Sequence, residues 1–156
     1  MENLVNHPLA KFTVIFLASL SPFIYILVCG EKISLSSYWE TSMQPMFIFV
    51  NASTSYYLFS IKNWWIPSFL LMMITAFSVT QFYWAHNIFA IAFFVFSGIS
   101  LVRSKIKWYI FPYLCSVIPL FFGNILWAEI VGILTICVFH LHRYIKYNHI
   151  QVNRTK

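Results

Sequence analysis

All four acidic residues of this chain are glutamates, and one of them, Glu129, stands inside a long apolar run. An ionisable group in such a place is expensive and as a rule faces a bundle interior or a wet cavity. His86 opens another apolar run, and a hydrogen bond to Glu129 is within geometric reach if both lie at one end of a bundle. Such a pair has the chemistry of a proton relay, a metal-ligand pair or a ligand clamp, and equally that of a polar lock between helices. Glu40 and Tyr38 sit with Ser34, Ser36, Ser37, Thr41 and Ser42 in the longest polar stretch, and Asn124 belongs to a Gly-Asn turn before the run that holds Glu129. The expected ligand-binding set is Glu40, Tyr38, His86, Asn124 and Glu129. The candidates for acid–base or nucleophilic work are Glu129, His86 and Ser36, although spacing alone assembles no firm catalytic set.

A metal centre needs three or four His, Cys or carboxylate ligands. Around Glu129 the sequence offers one histidine and glutamates far apart in the chain, so no firm metal set is expected and no cofactor is called for. A second grouping is Cys137, His140, His142 and His149. His140 and His142, two apart, point about 200° apart on a helix and do not chelate together; Cys137 and His140 share a face. The simpler reading is interfacial histidines beside a basic tail. Cys29, Cys115 and Cys137 fall at different depths, where disulfide pairing is out of reach, and read as small buried hydrophobes.

These residues have to be positioned by helices in lipid. Of 156 residues, 60% are hydrophobic and 9% charged, against roughly 25% charged in a soluble domain. There are too few polar groups to cover so apolar a set in water. The run from Phe12 to Val28 is longer than a signal-peptide core and lacks a small-residue cleavage site, so it reads as a retained helix. With about 20 residues needed per crossing, turn and interface signals divide the chain. Gly30, Pro45, Lys62-Asn63, Trp64-Trp65, Pro67, Tyr83-Trp84 and Gly123-Asn124 mark the boundaries. The expected fold is all-α: a polytopic membrane bundle with six transmembrane helices in one domain. The spans fall at about 11–29, 43–61, 65–82, 87–102, 108–122 and 125–142, followed by a basic tail, 143–156. Pro112 and Pro119 should bend the fifth helix. Ala90, Ser97, Gly98 and Gly132 offer close-packing points, and Asn51, Ser53, Thr54 and Ser55 place hydrogen-bonding groups at mid-span, for a helix interface or a substrate path.

On this division Lys11, Lys62, Arg103, Lys105, Lys107, Arg143, Lys146, Arg154 and Lys156 share one side, and only Lys32 falls on the other. Basic residues resist translocation, which predicts both termini in the cytoplasm. The net charge of +6 is thereby explained by topology, and no basic stripe or binding module points to nucleic acid. Membrane lipids, and another membrane protein subunit, are the expected partners. The chain has no Gly-rich phosphate loop, Gly-x-Ser-x-Gly elbow, mid-span lysine for retinal, Arg-rich voltage-sensing helix or haem-spaced histidine pair.

The stretch Ser-Ser-Tyr-Trp-Glu-Thr-Ser-Met (36–43), the later Tyr-Tyr-Leu-Phe (56–59), His86-Asn87 and Trp127-Ala128-Glu129 occur in an order that resembles a loose group of small bacterial multi-pass proteins. That group is distantly similar to the alkaline-ceramidase and progestin/adipoQ-receptor superfamily of membrane hydrolases. The resemblance covers about residues 10–143 and implies a bacterial inner-membrane protein. It gives Ser36 or Ser37, His86 and Glu129 as counterparts of hydrolase residues. Those hydrolases hold zinc on three histidines with Ser and Asp nearby; this chain has one suitably placed histidine and no Asp. Three readings follow. The first is a non-catalytic helper subunit or binder of lipid or another apolar ligand, with a polar pocket on the outer side. The second is a hydrolase of lipid amides or esters. The third is a proton-coupled carrier titrating at Glu129.

Overall fold

Apolar runs form helices here, and Gly, Pro and Lys-Asn punctuation ends them. The computed structural model describes residues 8–154, with side chains over 8–146; the side chains of Glu2, His149, Arg154 and Lys156 lie outside the described residues. Among the described residues the fold is all-helical, without strands. The order is α1 (Pro8–Cys29), a 3-10 segment (Leu35–Glu40), α2 (Gln44–Phe59), α3 (Trp65–Ala76), α4 (Tyr83–Val102), a 3-10 turn (Lys107–Tyr109), α5 (Ile110–Cys115), α6 (Ile118–Phe121) and α7 (Ile125–Arg154). Three helices are long and apolar enough to cross a membrane: Pro8–Cys29, Tyr83–Val102 and the Ile125–Lys146 part of α7.

Several boundaries differ from those expected. The third run was expected to be helical over 65–82, but α3 stops at Ala76, where Phe77 turns extended (φ −103°, ψ 118°). The expected fifth helix, 108–122, is two short helices rather than one bent one. Pro119 has no N–H for the Cys115 carbonyl. The chain tightens just before it, with Ser116 N–H on Tyr113 O and Val117 N–H on Leu114 O. α4 begins at Tyr83 rather than 87, and α7 runs on through the residues expected to be a tail. Trp64 was expected at a lipid interface, yet it is 1% exposed and packs on Phe139 and His140, while its neighbour Trp65 is 58% exposed.

Other punctuation works as read. Gly30 and Gly123 both adopt φ +71°, a left-handed conformation that ends α1 and precedes α7. Asn124 Oδ1 accepts the Trp127 N–H at 3.1 Å and caps the start of α7. Pro22 lies inside α1 and cannot serve the Ala18 carbonyl; the Ser21 hydroxyl donates to that carbonyl instead, at 3.2 Å.

Successive helices pack side by side, and α7 closes the arrangement by packing on α1 as well as on α5 and α6. α2 and α3 are held by reciprocal bonds: Ser55 Oγ donates to Ser68 O and Ser68 Oγ to Ser55 O, each at 2.7 Å. Tyr113 OH donates to Phe94 O at 2.6 Å, tying α5 to α4. Gly132 lets the Phe94 ring approach α7, since a Cβ there would stand 2.8 Å from Phe94 Cε1.

The two ends of the bundle differ chemically. At one end Phe12 meets Tyr144, Tyr109 OH pairs with His142 Nδ1, and Ser100 Oγ donates to Asn63 O. These contacts bring Lys11, Lys62, Arg103, Lys107, Arg143 and Lys146 to a common basic end. At the other end the 35–40 segment folds over the helices. Tyr38 OH donates to Gly30 O, Trp39 Nε1 to Thr75 O, and Leu35 N–H to Glu129.

Candidate functional site

α7 carries Glu129 one turn inside its start because Asn124 sets that start and Leu126 and Ile130, 2% and 1% exposed, fix which face looks inward. The Leu35 N–H reaches Oε2 at 2.6 Å. Glu129 borders a narrow cavity of about 80 Å³ among α1, α2, α3, α4 and α7, which extends along α7 as far as Cys137. Eight residues of helix make that length about 12 Å. Its walls are mostly apolar. Polar side chains enter from Ser36, Tyr25, Asn51 and Thr54. The hydroxyls of Tyr25 and Thr54 are buried without a partner at hydrogen-bonding geometry, Tyr25 lying beside Ser21. Buried polar groups are normally paired, so the unpaired Thr54 hydroxyl stands out on this wall.

Of the expected site residues, the structure brings Glu129 and Ser36 to this cavity and sends the others elsewhere. The pairing expected between Glu129 and His86 does not form. His86 is 1% exposed and directs Nδ1 to the Phe77 carbonyl at 2.7 Å. A carbonyl only accepts, so Nδ1 carries the proton in the neutral ring and Nε2, which has no partner, presents a lone pair. His86 thus closes the frayed end of α3. Glu40 binds the Ser78 and Thr80 hydroxyls at 2.6 and 2.7 Å. Those two bonds, Ser78 first, hold its carboxyl below the usual range. Tyr38 is 0% exposed, and burial pushes its phenol up; its ring lies 5.3 Å from Tyr25. Asn124 is committed to capping.

At the basic end, Cys137 and His140 are both buried on one side of α7. His140 sits edge-on to Trp64, centroids 4.4 Å apart, and neither ring nitrogen has a partner. His142 is bonded to Tyr109. Among the described residues no group of three or more His, Cys, Asp or Glu is arranged to hold a metal.

Sequence reasoning missed Tyr25, Phe47 and Pro22 as cavity residues. The signal was present: Ala18, Ser21, Pro22 and Tyr25 recur at helical spacing and share one face of α1. In an all-apolar run, however, nothing in the pattern tells the face toward lipid from the face toward a cavity. No family model, curated protein or solved structure matches the chain.

Proposed function

We propose that this chain is a small integral membrane protein that binds one slim, largely apolar ligand in the cavity between its helices, with the ligand's polar end at Glu129. The observation that carries this reading is an apolar cavity, bordered by five helices, that has a carboxylate at one end and hydroxyls on its wall, that of Thr54 unpaired. Pockets that are apolar with a few placed polar groups are the usual form of a ligand site. The proposal includes six membrane traverses with the basic end in the cytoplasm, supported by the gathering of Lys and Arg at one end. The segment with Leu35–Glu40 then faces outward. The three long helices carry the membrane assignment; α2, α3 and the α5–α6 pair complete the traverses as shorter elements.

Hydrolysis would require Ser36, Glu129 and His86 to converge, and His86 neither lines the cavity nor contacts the other two. A proton-coupled carrier is favoured by one observation, the buried unpartnered imidazole of His140 below the cavity on α7. Proton movement across vesicles holding the protein, driven by an imposed gradient of a candidate solute and abolished by both Glu129→Gln and His140→Phe, would support that second reading.

The binding reading is tested by native mass spectrometry of gently extracted protein. One retained small molecule per chain, displaced when Ala90→Leu narrows the cavity, is the expected result. A chain that retains nothing, and takes up no added single-chain amphiphile, overturns it. For orientation, Ile33→Cys, at an exposed position, should react with an impermeant maleimide from outside the cell and Lys105→Cys should not; the reverse pattern inverts the topology.

A further inference from the structure

The cavity's polar end is built for positive charge. Glu129 has the Leu35 N–H on one oxygen, and no cation among the described residues pairs with it. A carboxylate away from water is costly unless a counter-charge and hydrogen bonds accompany it. The cavity it borders also presents groups that can accept hydrogen bonds. Tyr25, 3% exposed, brings a hydroxyl to the cavity wall beside Ser21. Ser36 adds a second hydroxyl from the 35–40 segment, and Phe47 adds an aromatic ring from α2. The Tyr25 ring lies 5.3 Å from Tyr38 and 6.1 Å from Phe47, centroid to centroid. Leu35, whose N–H binds Glu129, packs in the same cluster. Aromatic faces beside a carboxylate are the chemistry that recognises ammonium groups. An ammonium has three donors and no acceptor, and carboxylate plus two hydroxyls supply three acceptors. Beyond this end the walls turn apolar as far as Cys137, which suits an alkyl tail.

We propose that the ligand is a slim alkylamine, bound as its ammonium with the charge on Glu129 and the tail running toward Cys137. This rests on the binding reading above and narrows it to a chemical class.

The test uses the full chain in native mass spectrometry with three probes of equal tail length: octylamine, 1-octanol and octanoate. Octylamine should be retained at one per chain, about tenfold or more over octanol, the ratio a charge-assisted hydrogen bond supplies, and octanoate least. Glu129→Gln should erase the preference for the amine. Tyr25→Phe removes only a hydroxyl and should reduce amine retention several-fold while leaving octanol retention unchanged. Glu31→Gln, an exposed carboxylate outside the cavity, should behave as the unaltered chain. Equal retention of amine and alcohol, or a preference that survives Glu129→Gln in a chain that still binds octanol, overturns the ammonium assignment and leaves the cavity reading standing. Retention of none of the three overturns both.

Discussion

The backbone N–H of Leu35 and the carboxylate of Glu129 meet at 2.6 Å across 94 residues of sequence. This bond fastens the longest polar segment of the chain to its last helix, and with Tyr38 OH on Gly30 O and Trp39 on Thr75 O it forms a cover over the cavity. Glu129 therefore holds the cover and borders the site beneath it.

Removing that acceptor should loosen the cover. In Glu129→Ala the Leu35 amide is expected to exchange with deuterium about tenfold faster, since hydrogen bonds to carboxylates are among the stronger ones. Glu129→Gln keeps an acceptor and should give a smaller change. Exchange unaltered in both variants would show that the other contacts hold the segment unaided.

Glu40 gives the cover a pH dependence. Its carboxyl is held below the ordinary range by the Ser78 and Thr80 hydroxyls. The folded value is depressed, so the stabilisation is complete above the ordinary carboxylate pKa and is lost as pH falls through the folded value. Protection of the 77–82 amides, taken relative to their intrinsic exchange rates, should fall on acidification through that window, and Glu40→Gln should flatten the response. A response unchanged in the variant would assign it to another group.

The reciprocal serines should behave as a unit. Ser55→Ala and Ser68→Ala are each expected to cost about 0.6 kcal/mol, the average for interhelical bonds in membranes. Because the two hydroxyls also lie 3.2 Å from each other, a double-mutant cycle should show coupling of about 0.5 kcal/mol or more. Strict additivity would mean that the two bonds act independently, and no cost in either single variant would mean that α2 and α3 are held by packing alone.

Gly132 sits where Phe94 crosses α7. Gly132→Val should lower stability by about 1–3 kcal/mol, the range for overpacking, read as a drop in unfolding temperature. Shortening the partner in Gly132→Val/Phe94→Leu should restore part of it. No loss in the single variant would mean that the ring swings aside freely.

Much of this architecture was legible in the chain. Gly30, Asn63 and Gly123 read as breaks and carry the positive φ values that breaks require. The sorted lysines and arginines anticipated a basic end. Helix lengths inside apolar runs were less legible. Phe77 to Phe82 interrupts the apolar run with Ser78, Thr80 and Gln81, a polar signal passed over in the expected span, and the Glu40 and His86 bonds hold this segment out of the helix. The site was half legible. Glu129 and Ser36 stand out because they are polar, whereas Tyr25 and Phe47 look like any other aromatic in a lipid-soluble helix. The Glu129–His86 pairing failed because backbone groups, which carry no sequence signature, reached both side chains first.

α3 offers 12 residues of helix, about 18 Å, against a hydrocarbon core of about 30 Å. Lipid beside it has no full-length wall to lie against. On the proposed six-traverse arrangement, headgroups would be drawn inward at that flank, and water would follow them to the Glu40, Ser78 and Thr80 cluster. The protein would thus imprint a thin spot on the surrounding leaflet, and thinner membranes would accommodate that flank at lower cost than thick ones.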